Sequence, residues 1–304
     1  MKYLIIGAGG VGGTLAAYMG RGGFDVTLIA RGAHLAAIKT AGGVTVEEAG
    51  GFCFTAPLAA CEMENYDARP DVIFICVKGY SMPEVMPFIE RAAAHGCAVI
   101  PLLNIYGTGS AIARRLPAAV TAEGCVYIAS QIKEPGKIAM NGKIFRVVFG
   151  LPDGGESEIL ARTADDLRAA GIETVLSRDI KRDAFRKFTF VSAMAACGQY
   201  HDVLADAMQR AGEERRLFTA LVRELVLLAD ASGIKLPVEM EAANLKILDA
   251  LAPDASTSMQ RDIRAGGRSE IDGLVYEVPR MAKRAGASAP LYEKITAELK
   301  ARGL

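Results

Sequence analysis

Residues 2–13 read K-Y-L-I-I-G-A-G-G-V-G-G, and the rest of the chain is organised around them. Tyr3, Leu4, Ile5 and Ile6 form a short unbroken apolar run. Such a run suits a strand buried on both faces of a parallel sheet. It stops at Gly7-Ala8-Gly9-Gly10-Val11-Gly12, a G-x-G-x-x-G pattern, and a helical pattern follows through Leu15, Ala16, Tyr18 and Met19. Strand, glycine turn and helix in that order are the context in which this pattern binds a dinucleotide. Gly7 allows the tight turn, Gly9 lets a pyrophosphate approach the backbone, and Gly12 lets helix and strand pack closely. The helix start adds N–H groups and partial positive charge for the phosphates. Outside this context the same glycines would mark only a flexible turn.

The totals set bounds on what surrounds this motif. A chain of 304 residues is long enough for two domains at about 150 residues each. Hydrophobic residues make up 51% of it, enough for a sizeable core. Lys plus Arg and Asp plus Glu both number 35. That balance argues against nucleic acid or an anionic membrane as the main partner. The six cysteines (Cys53, Cys61, Cys76, Cys97, Cys125 and Cys197) form no C-x-x-C pair, and His34, His95 and His201 are scattered. No metal is expected from that spacing, and the thiols read as free and at least partly buried, in a reducing compartment. The apolar run at the N-terminus is too short for a signal sequence. Nothing approaches the length of a membrane span. These features predict a cytoplasmic protein.

Working outward, residues 25–30 make a second strand, followed by Arg31. A carboxylate near the end of this strand would take the ribose hydroxyls of NAD, whereas a cation accommodates a 2′-phosphate. Arg31 stands there with no acid immediately after it, and guanidinium matches phosphate geometry. The expected cofactor is therefore NADP(H). Residues 42–55 predict a β-hairpin, with Val44, Val46, Phe52 and Phe54 at strand spacing. Residues 71–77 predict a buried strand ending in Lys78-Gly79-Tyr80, where a parallel sheet presents loops to ligands. Residues 98–103 predict another, ending in Asn104. Two further strands, 126–132 and 144–150, are expected to join at Asn141-Gly142. An amphipathic helix over 156–170 and a short strand over 173–176 follow. From Asp179 the pattern becomes helical: 185–197, 215–232, 238–251, 270–285 and a last helix from Pro290. The fold predicted is an α/β, Rossmann-like N-terminal domain with an all-α C-terminal domain, divided as 1–177 and 178–304. The long apolar face at 217–228 reads as core first and leaves a homodimer open.

Four blocks make the chain resemble the ketopantoate reductase (2-dehydropantoate 2-reductase) family nearly end to end. They are Gly7 to Gly12 with Arg31; Cys76-Val77-Lys78; Phe185-Arg186-Lys187; and Ser256-Thr257-Ser258-Met259-Gln260-Arg261-Asp262 with Glu270-Ile271-Asp272-Gly273. The last is the most specific, being similar to the family's S-M-x-x-D … E-I-D signature. The resemblance implies NADPH-dependent reduction of a 2-oxo acid, ketopantoate to pantoate, in pantothenate and CoA biosynthesis, with the site in a cleft between domains. It assigns proton donation to Lys187, a group able to stabilise and protonate a developing alkoxide. It assigns substrate contact and support of the lysine to Glu270, the substrate carboxylate to Ser258, and a place near nicotinamide and substrate to Asn104. Lys78 joins Gly7, Ala8, Gly9, Gly10, Val11, Gly12, Arg31 and Asn104 in the cofactor site. Each assignment has a plainer counterpart. Lys187 would be a solvated helix lysine, Glu270 a helix-start acid, Ser258 a helix N-cap, and Asn104 and Lys78 loop residues bonded to backbone.

The chain departs from the family on the substrate side. Asparagines one and two turns after the catalytic lysine are usual, and here Val191 and Ala195 stand at those places, with Thr189 and Ser192 out of register. The usual Asn-Gly after the fourth strand is Asn104-Ile105-Tyr106-Gly107. Sites built to hydrogen-bond a hydroxyl reject analogues lacking it by ~10⁴ or more. Losing both amides should therefore redirect selection towards a more apolar 2-oxo acid. A third reading, from another functional class, is an NADP-binding sensor without catalysis.

Overall fold

Side-chain alternation along the first strand divides the core of the N-terminal part. Successive residues of a strand point to opposite faces. In the computed structural model, which describes all of residues 1–304, Tyr3 and Ile5 enter one hydrophobic cluster and Leu4 and Ile6 another. The strand at Val72–Ile75 repeats this, with Val72 and Phe74 on one side and Ile73 and Ile75 on the other. Both strands are thus buried on both faces, which explains their unbroken apolar sequences.

The chain divides into two units, Met1–Leu103 with Gly107–Ile180, and Asn104–Tyr106 with Lys181–Leu304. The first unit runs β1 (Lys2–Ile6), α1 (Gly10–Arg21), β2 (Asp25–Ile29), α2 (Gly32–Ala41), β3 (Gly43–Glu47), β4 (Cys53–Pro57), β5 (Ala59–Cys61), β6 (Val72–Ile75), α3 (Met82–Ala92) and β7 (Ala98–Pro101). It continues with α4 (Thr108–Ala113), β8 (Val120–Thr121), β9 (Glu123–Glu134), β10 (Lys137–Gly150), α5 (Glu158–Ala169) and β11 (Glu173–Leu176). Strands in the order β5-β2-β1-β6-β7-β8 form one all-parallel sheet. Its order reverses between β1 and β6, the place where doubly wound sheets bind ligands at their strand ends. A second sheet runs β11-β10-β3-β4 with β9 on β10. Helix α1 touches strands of both sheets and is buried continuously from Gly12 to Gly20. This is a Rossmann-like α/β unit.

The hairpin at 43–57 forms as expected, with Val46 opposite Phe54. The second hairpin does not turn where expected. β9 and β10 reverse through Pro135-Gly136, with Glu134 opposite Lys137. Proline presets the first corner of such a turn, and Gly136 takes φ +81° at the second, the demand of a type II turn. Asn141-Gly142 instead lies inside β10, where the register against β9 shifts between Met140 and Phe145, as at a bulge. Helix α2 has no counterpart in the sequence expectations. Only Leu35 and Ile38 of it are buried, too few to show a period.

The second unit is helical. Its elements are α6 (Ile180–His201), α7 (Ala205–Gln209), α8 (Glu213–Ala231), α9 (Met240–Asp249), α10 (Ser258–Arg264), a π-turn (Asp272–Tyr276), α11 (Glu277–Arg284) and α12 (Pro290–Ala301). The helix expected over 270–285 is therefore interrupted near its start by a wider turn. Phe185, Phe188 and the run Ala193 to Cys197 bury α6 among Phe218, Leu221, Leu225, Leu274, Val278 and Tyr292. No helix of the chain is long and apolar enough to cross a membrane. All six cysteines are free thiols; Cys97, Cys125 and Cys197 are buried, Cys61 and Cys76 half-buried, and Cys53 is exposed, contrary to expectation.

Candidate active site

Each unit presents part of the residue set singled out in the sequence. In the first unit the glycine turn joins β1 to α1. Gly7 holds φ +105°, a region costly for any residue with a Cβ. Gly12 is required for another reason: a Cβ there would lie 1.9 Å from the Gly7 carbonyl oxygen and 2.9 Å from the Cys76 Cβ. Gly10 is hemmed in by the Ser130 carbonyl oxygen, 2.3 Å from the place of its absent Cβ. Gly9 differs, since a Cβ on it would meet nothing within 4 Å. Its lack of a side chain leaves open space rather than relieving a clash inside the protein. Gly9 is also the N-cap of α1, with no side-chain cap and no acid in the first turn. An uncapped helix start beside open space fits a diphosphate, whose negative charge the helix end favours. Ala8 and Val11 complete the turn, both half-buried.

The flanking residues lie on neighbouring strand ends. β6 pairs with β1 up to Ile75 opposite Ile6, and the Cys76 N–H donates to the Ile6 carbonyl at 2.8 Å. Lys78, two residues on, is the N-cap of the short 3₁₀ turn Gly79–Ser81 and is half-buried. Arg31 follows β2, is the N-cap of α2, and its side chain is 83% exposed. Its guanidinium lies 3.6 Å from Glu84 of α3, an acid that sequence proximity does not reveal. An exposed pair at that distance is weak, so the arginine fits a phosphate dianion in its place. His34, also in α2, accepts the Gly136 N–H at Nδ1 at 2.9 Å. It thereby ties α2 to the tip of the β9–β10 hairpin, and burial holds its imidazole below the usual histidine range.

In the second unit the central contact is between Lys187 and Asn104. The Lys187 Nζ donates to Asn104 Oδ1 at 2.7 Å. Asn104 precedes α6 by many residues, yet Asn104–Tyr106 belongs to the same unit. Ring packing anchors it: Tyr106 meets Phe185 edge-on at 4.8 Å and Phe188 at 6.1 Å. Ile105 lies against Gly273, where a Cβ would stand 2.4 Å from the isoleucine Cδ1. Asn104 is therefore a partner of the lysine rather than a loop residue satisfying backbone.

Ser258 opens α10 without capping it. The cap is Thr257, whose Oγ1 accepts the Gln260 N–H at 3.2 Å while Gln260 Oε1 accepts the Thr257 N–H at 3.0 Å. Thr257-Ser258-Met259-Gln260 is a T-x-x-Q capping box, a helix-start signal legible in the sequence. The same glutamine donates to the Val203 carbonyl at 2.8 Å. It lies so close to α6 that a Cβ on Gly198 would stand 2.7 Å from its amide nitrogen. Helix α10, and Ser258 with it, is thus docked on the helix that carries Lys187. Glu270 is buried, 5% exposed, and its carbonyl accepts the Leu274 N–H at 2.9 Å at the approach to the π-turn.

The two hydroxyls near the missing asparagines are already committed. Thr189 donates to the Arg186 carbonyl at 2.7 Å and accepts from Asn244 Nδ2 at 3.1 Å. Ser192 donates to the Leu274 carbonyl at 2.7 Å and lies 2.8 Å from the Tyr292 hydroxyl. Ala195 is fully buried in the helical core, whereas Val191 is half-buried.

Comparison with known proteins bears on the family and the fold. Residues 3–154 match the family described as ketopantoate reductase PanE/ApbA, and residues 179–303 match its C-terminal part. The chain is 27% identical to a 2-dehydropantoate 2-reductase of Pyrococcus horikoshii over 305 residues, covering 99% of this chain and 97% of that protein. It is 25% identical over 299 residues to an uncharacterized oxidoreductase, YkpB, of Bacillus subtilis, covering 98% of each. The crystal structure of a PanE/ApbA family ketopantoate reductase from Ralstonia eutropha superposes with a TM-score of 0.88 at 25% identity, covering 99% of this chain and 97% of that one. With both parts of the family pattern matched in order along nearly the whole chain, this protein belongs to the ketopantoate reductase PanE/ApbA family of NADP-dependent oxidoreductases.

Proposed function

We propose that the chain reduces a 2-oxo acid to the 2-hydroxy acid, with 2-dehydropantoate as substrate and pantoate as product. The cofactor is assigned to residues 1–177, and proton donation to residues 178–304 together with Asn104. The observation that carries this reading is the Lys187–Asn104 hydrogen bond at 2.7 Å. It gives the ammonium a fixed direction through an amide oxygen that has no proton to compete with it. Bound NADPH supplies the hydride to the carbonyl carbon. As negative charge gathers on the carbonyl oxygen, Lys187 stabilises it and then transfers a proton to it. Asn104 holds the ammonium in line, and Ser258 and Glu270 bind and orient the substrate. In the first unit, the turn from Gly7 to Gly12 takes the diphosphate, Arg31 the 2′-phosphate, and Lys78 lines the cofactor site.

A second reading, reduction of a more apolar 2-oxo acid, is favoured by one specific feature. Past Lys187, α6 has Val191 and Ala195 where amides would bind substrate oxygens, and the hydroxyls of Thr189 and Ser192 are engaged within the protein. A steady-state panel of 2-oxo acids with NADPH separates the two readings. A kcat/KM for ketopantoate at least tenfold above that for branched apolar 2-oxo acids supports the first. The reverse order, with Val191→Asn restoring preference for ketopantoate, supports the second.

A further inference from the structure

The π-turn after Glu270 raises a question that the proposed chemistry leaves open. A π-turn holds one residue more than the α-helix needs, and such turns are rare and frequently lie at functional sites. Here the Glu277 N–H reaches back to the Asp272 carbonyl, five residues away, instead of four. Each residue of an α-helix advances about 100° around the axis. If this turn closed to α-helical pairing, whatever precedes it would rotate by about that angle relative to α11. Glu270 lies immediately on that side, so the wide turn sets which way it faces.

Pro279 has no N–H for the Val275 carbonyl, which already weakens α-helical pairing here. A second restraint on the turn lies in the core. Ser192, fully buried on α6 five residues beyond Lys187, donates to the Leu274 carbonyl inside the turn at 2.7 Å. Tyr292 of α12, also fully buried, lies 2.8 Å from the same serine oxygen. A serine hydroxyl has a single proton. With that proton on the Leu274 carbonyl, Tyr292 must be the donor to Ser192. The polar chain therefore runs in one direction, Tyr292 to Ser192 to Leu274. Burial keeps the Tyr292 phenol well above its ordinary range, which preserves its proton. The tyrosine is fixed in turn, because its own N–H and that of Leu291 donate to the Glu224 carboxylate at 3.1 and 2.7 Å. On its outer side the turn is tied by Arg280, which donates to both the carbonyl and the carboxylate of Asp272.

We propose that Ser192, backed by Tyr292, is a positioning residue: its hydrogen bond to Leu274 keeps the turn at Asp272–Tyr276 wide and so fixes the facing of Glu270. The inference rests on the proposed catalytic reading for its functional consequence, though not for its structural content. Without the serine hydroxyl, a buried carbonyl and a buried phenol both lose their partner. Such groups are costly to leave unpaired, and closing the turn is one way to pair the carbonyl again. The valine side chain at position 191 cannot substitute, being apolar.

The test compares wild type, Ser192→Ala, Ser192→Thr and Tyr292→Phe. The structural arm is a crystal structure of Ser192→Ala together with amide hydrogen exchange of the segment 270–277. Closure of the turn with Glu270 rotated, or exchange in that segment at least tenfold faster while α8 and α9 keep wild-type protection, is expected. An unchanged π-turn with unchanged exchange overturns the proposal whatever the enzyme's substrate. The kinetic arm uses the 2-oxo acid that the wild type turns over best, well below the melting temperature. Ser192→Ala should lower kcat by ten- to a hundredfold with the KM for NADPH unchanged. Ser192→Thr, which keeps the hydroxyl, should recover most of it, and Tyr292→Phe should lose less than Ser192→Ala. A loss of thermal stability with unchanged kcat would mean that Ser192 is structural only. Absence of turnover in the wild type itself would count against the proposed function and leave the structural arm to decide this inference.

Discussion

Gly9→Ala separates cofactor binding from folding more cleanly than any other change in the turn. The backbone at Gly9 has φ −71° and ψ −170°, accessible to alanine, and a Cβ there meets nothing within 4 Å. Two small effects on stability oppose each other. Alanine is a poorer N-cap than glycine, by about 0.5–1 kcal/mol. It also lowers the entropy of the unfolded chain, by about 0.4–1 kcal/mol. The net change should stay under about 1 kcal/mol, and the melting temperature of the cofactor-free protein should move by less than about 4 °C. Binding is another matter, because the new methyl would occupy the space assigned to the diphosphate. Crowding of that kind costs about 1–3 kcal/mol, which weakens NADPH binding roughly 5- to 150-fold. Gly12→Ala supplies the contrast. Its Cβ would lie 1.9 Å from a backbone oxygen, so helix and strand must part by about an ångström to reach even a 3.0 Å contact. That places it at or above about 3 kcal/mol, a fall of roughly 6–12 °C without any cofactor. Thermal unfolding of both variants, with and without NADPH, and titration of NADPH fluorescence make the comparison. A Gly9→Ala protein of normal stability that binds NADPH within twofold of wild type would refute this account of the turn.

Two further outcomes follow from the first unit. Arg31→Ala should weaken NADPH about tenfold or more and leave NADH nearly unaffected, since only the former carries the phosphate that a guanidinium matches; equal losses for both cofactors in parallel titrations would remove Arg31 from that role. His34 has its pKa lowered by burial, so the folded state binds a proton less readily than the unfolded chain. Its contribution to stability is fully present above the unfolded value, about 6.5, and is lost as pH falls through the lower folded value. Melting curves from pH 7.5 to 5 should show this loss in wild type and a shallower one in His34→Asn; identical slopes would rule it out.

Much of the fold was legible because local chemistry and tertiary role coincide. β1 and β6 are apolar throughout because both faces are buried, and Gly7 and Gly12 are glycine because no other residue fits. The β9–β10 turn was misplaced because Asn-Gly is a strong hairpin signal. Pro135-Gly136 satisfied the same demand sooner, and the chain absorbed Asn141-Gly142 as an irregularity. Helix α2 buries too little, only Leu35 and Ile38, to show a period in the sequence. In the candidate site, Lys187, Asn104, Ser258 and Glu270 were found through resemblance, and the structure adds how some are held. The Lys187–Asn104 bond joins residues remote in sequence, which no local pattern encodes. Ser192 is out of register with the missing asparagines, and its hydroxyl is bound to the Leu274 carbonyl. The π-turn has one sign in residue type, Pro279, which offers no N–H to the Val275 or Leu274 carbonyl; the contacts from α6, α12 and the loop at Ile105 are not encoded locally.

The most direct measurement is steady-state NADPH oxidation across a panel of 2-oxo acids that includes ketopantoate, for wild type and Lys187→Ala, with NADPH binding measured in both. The account predicts wild-type turnover of at least one 2-oxo acid, a loss of several orders of magnitude in kcat for Lys187→Ala, and NADPH affinity unchanged between them. Turnover surviving in Lys187→Ala would contradict the assignment of the proton donor, and tight NADPH binding with no turnover of any 2-oxo acid by the wild type would contradict catalysis and favour a sensor.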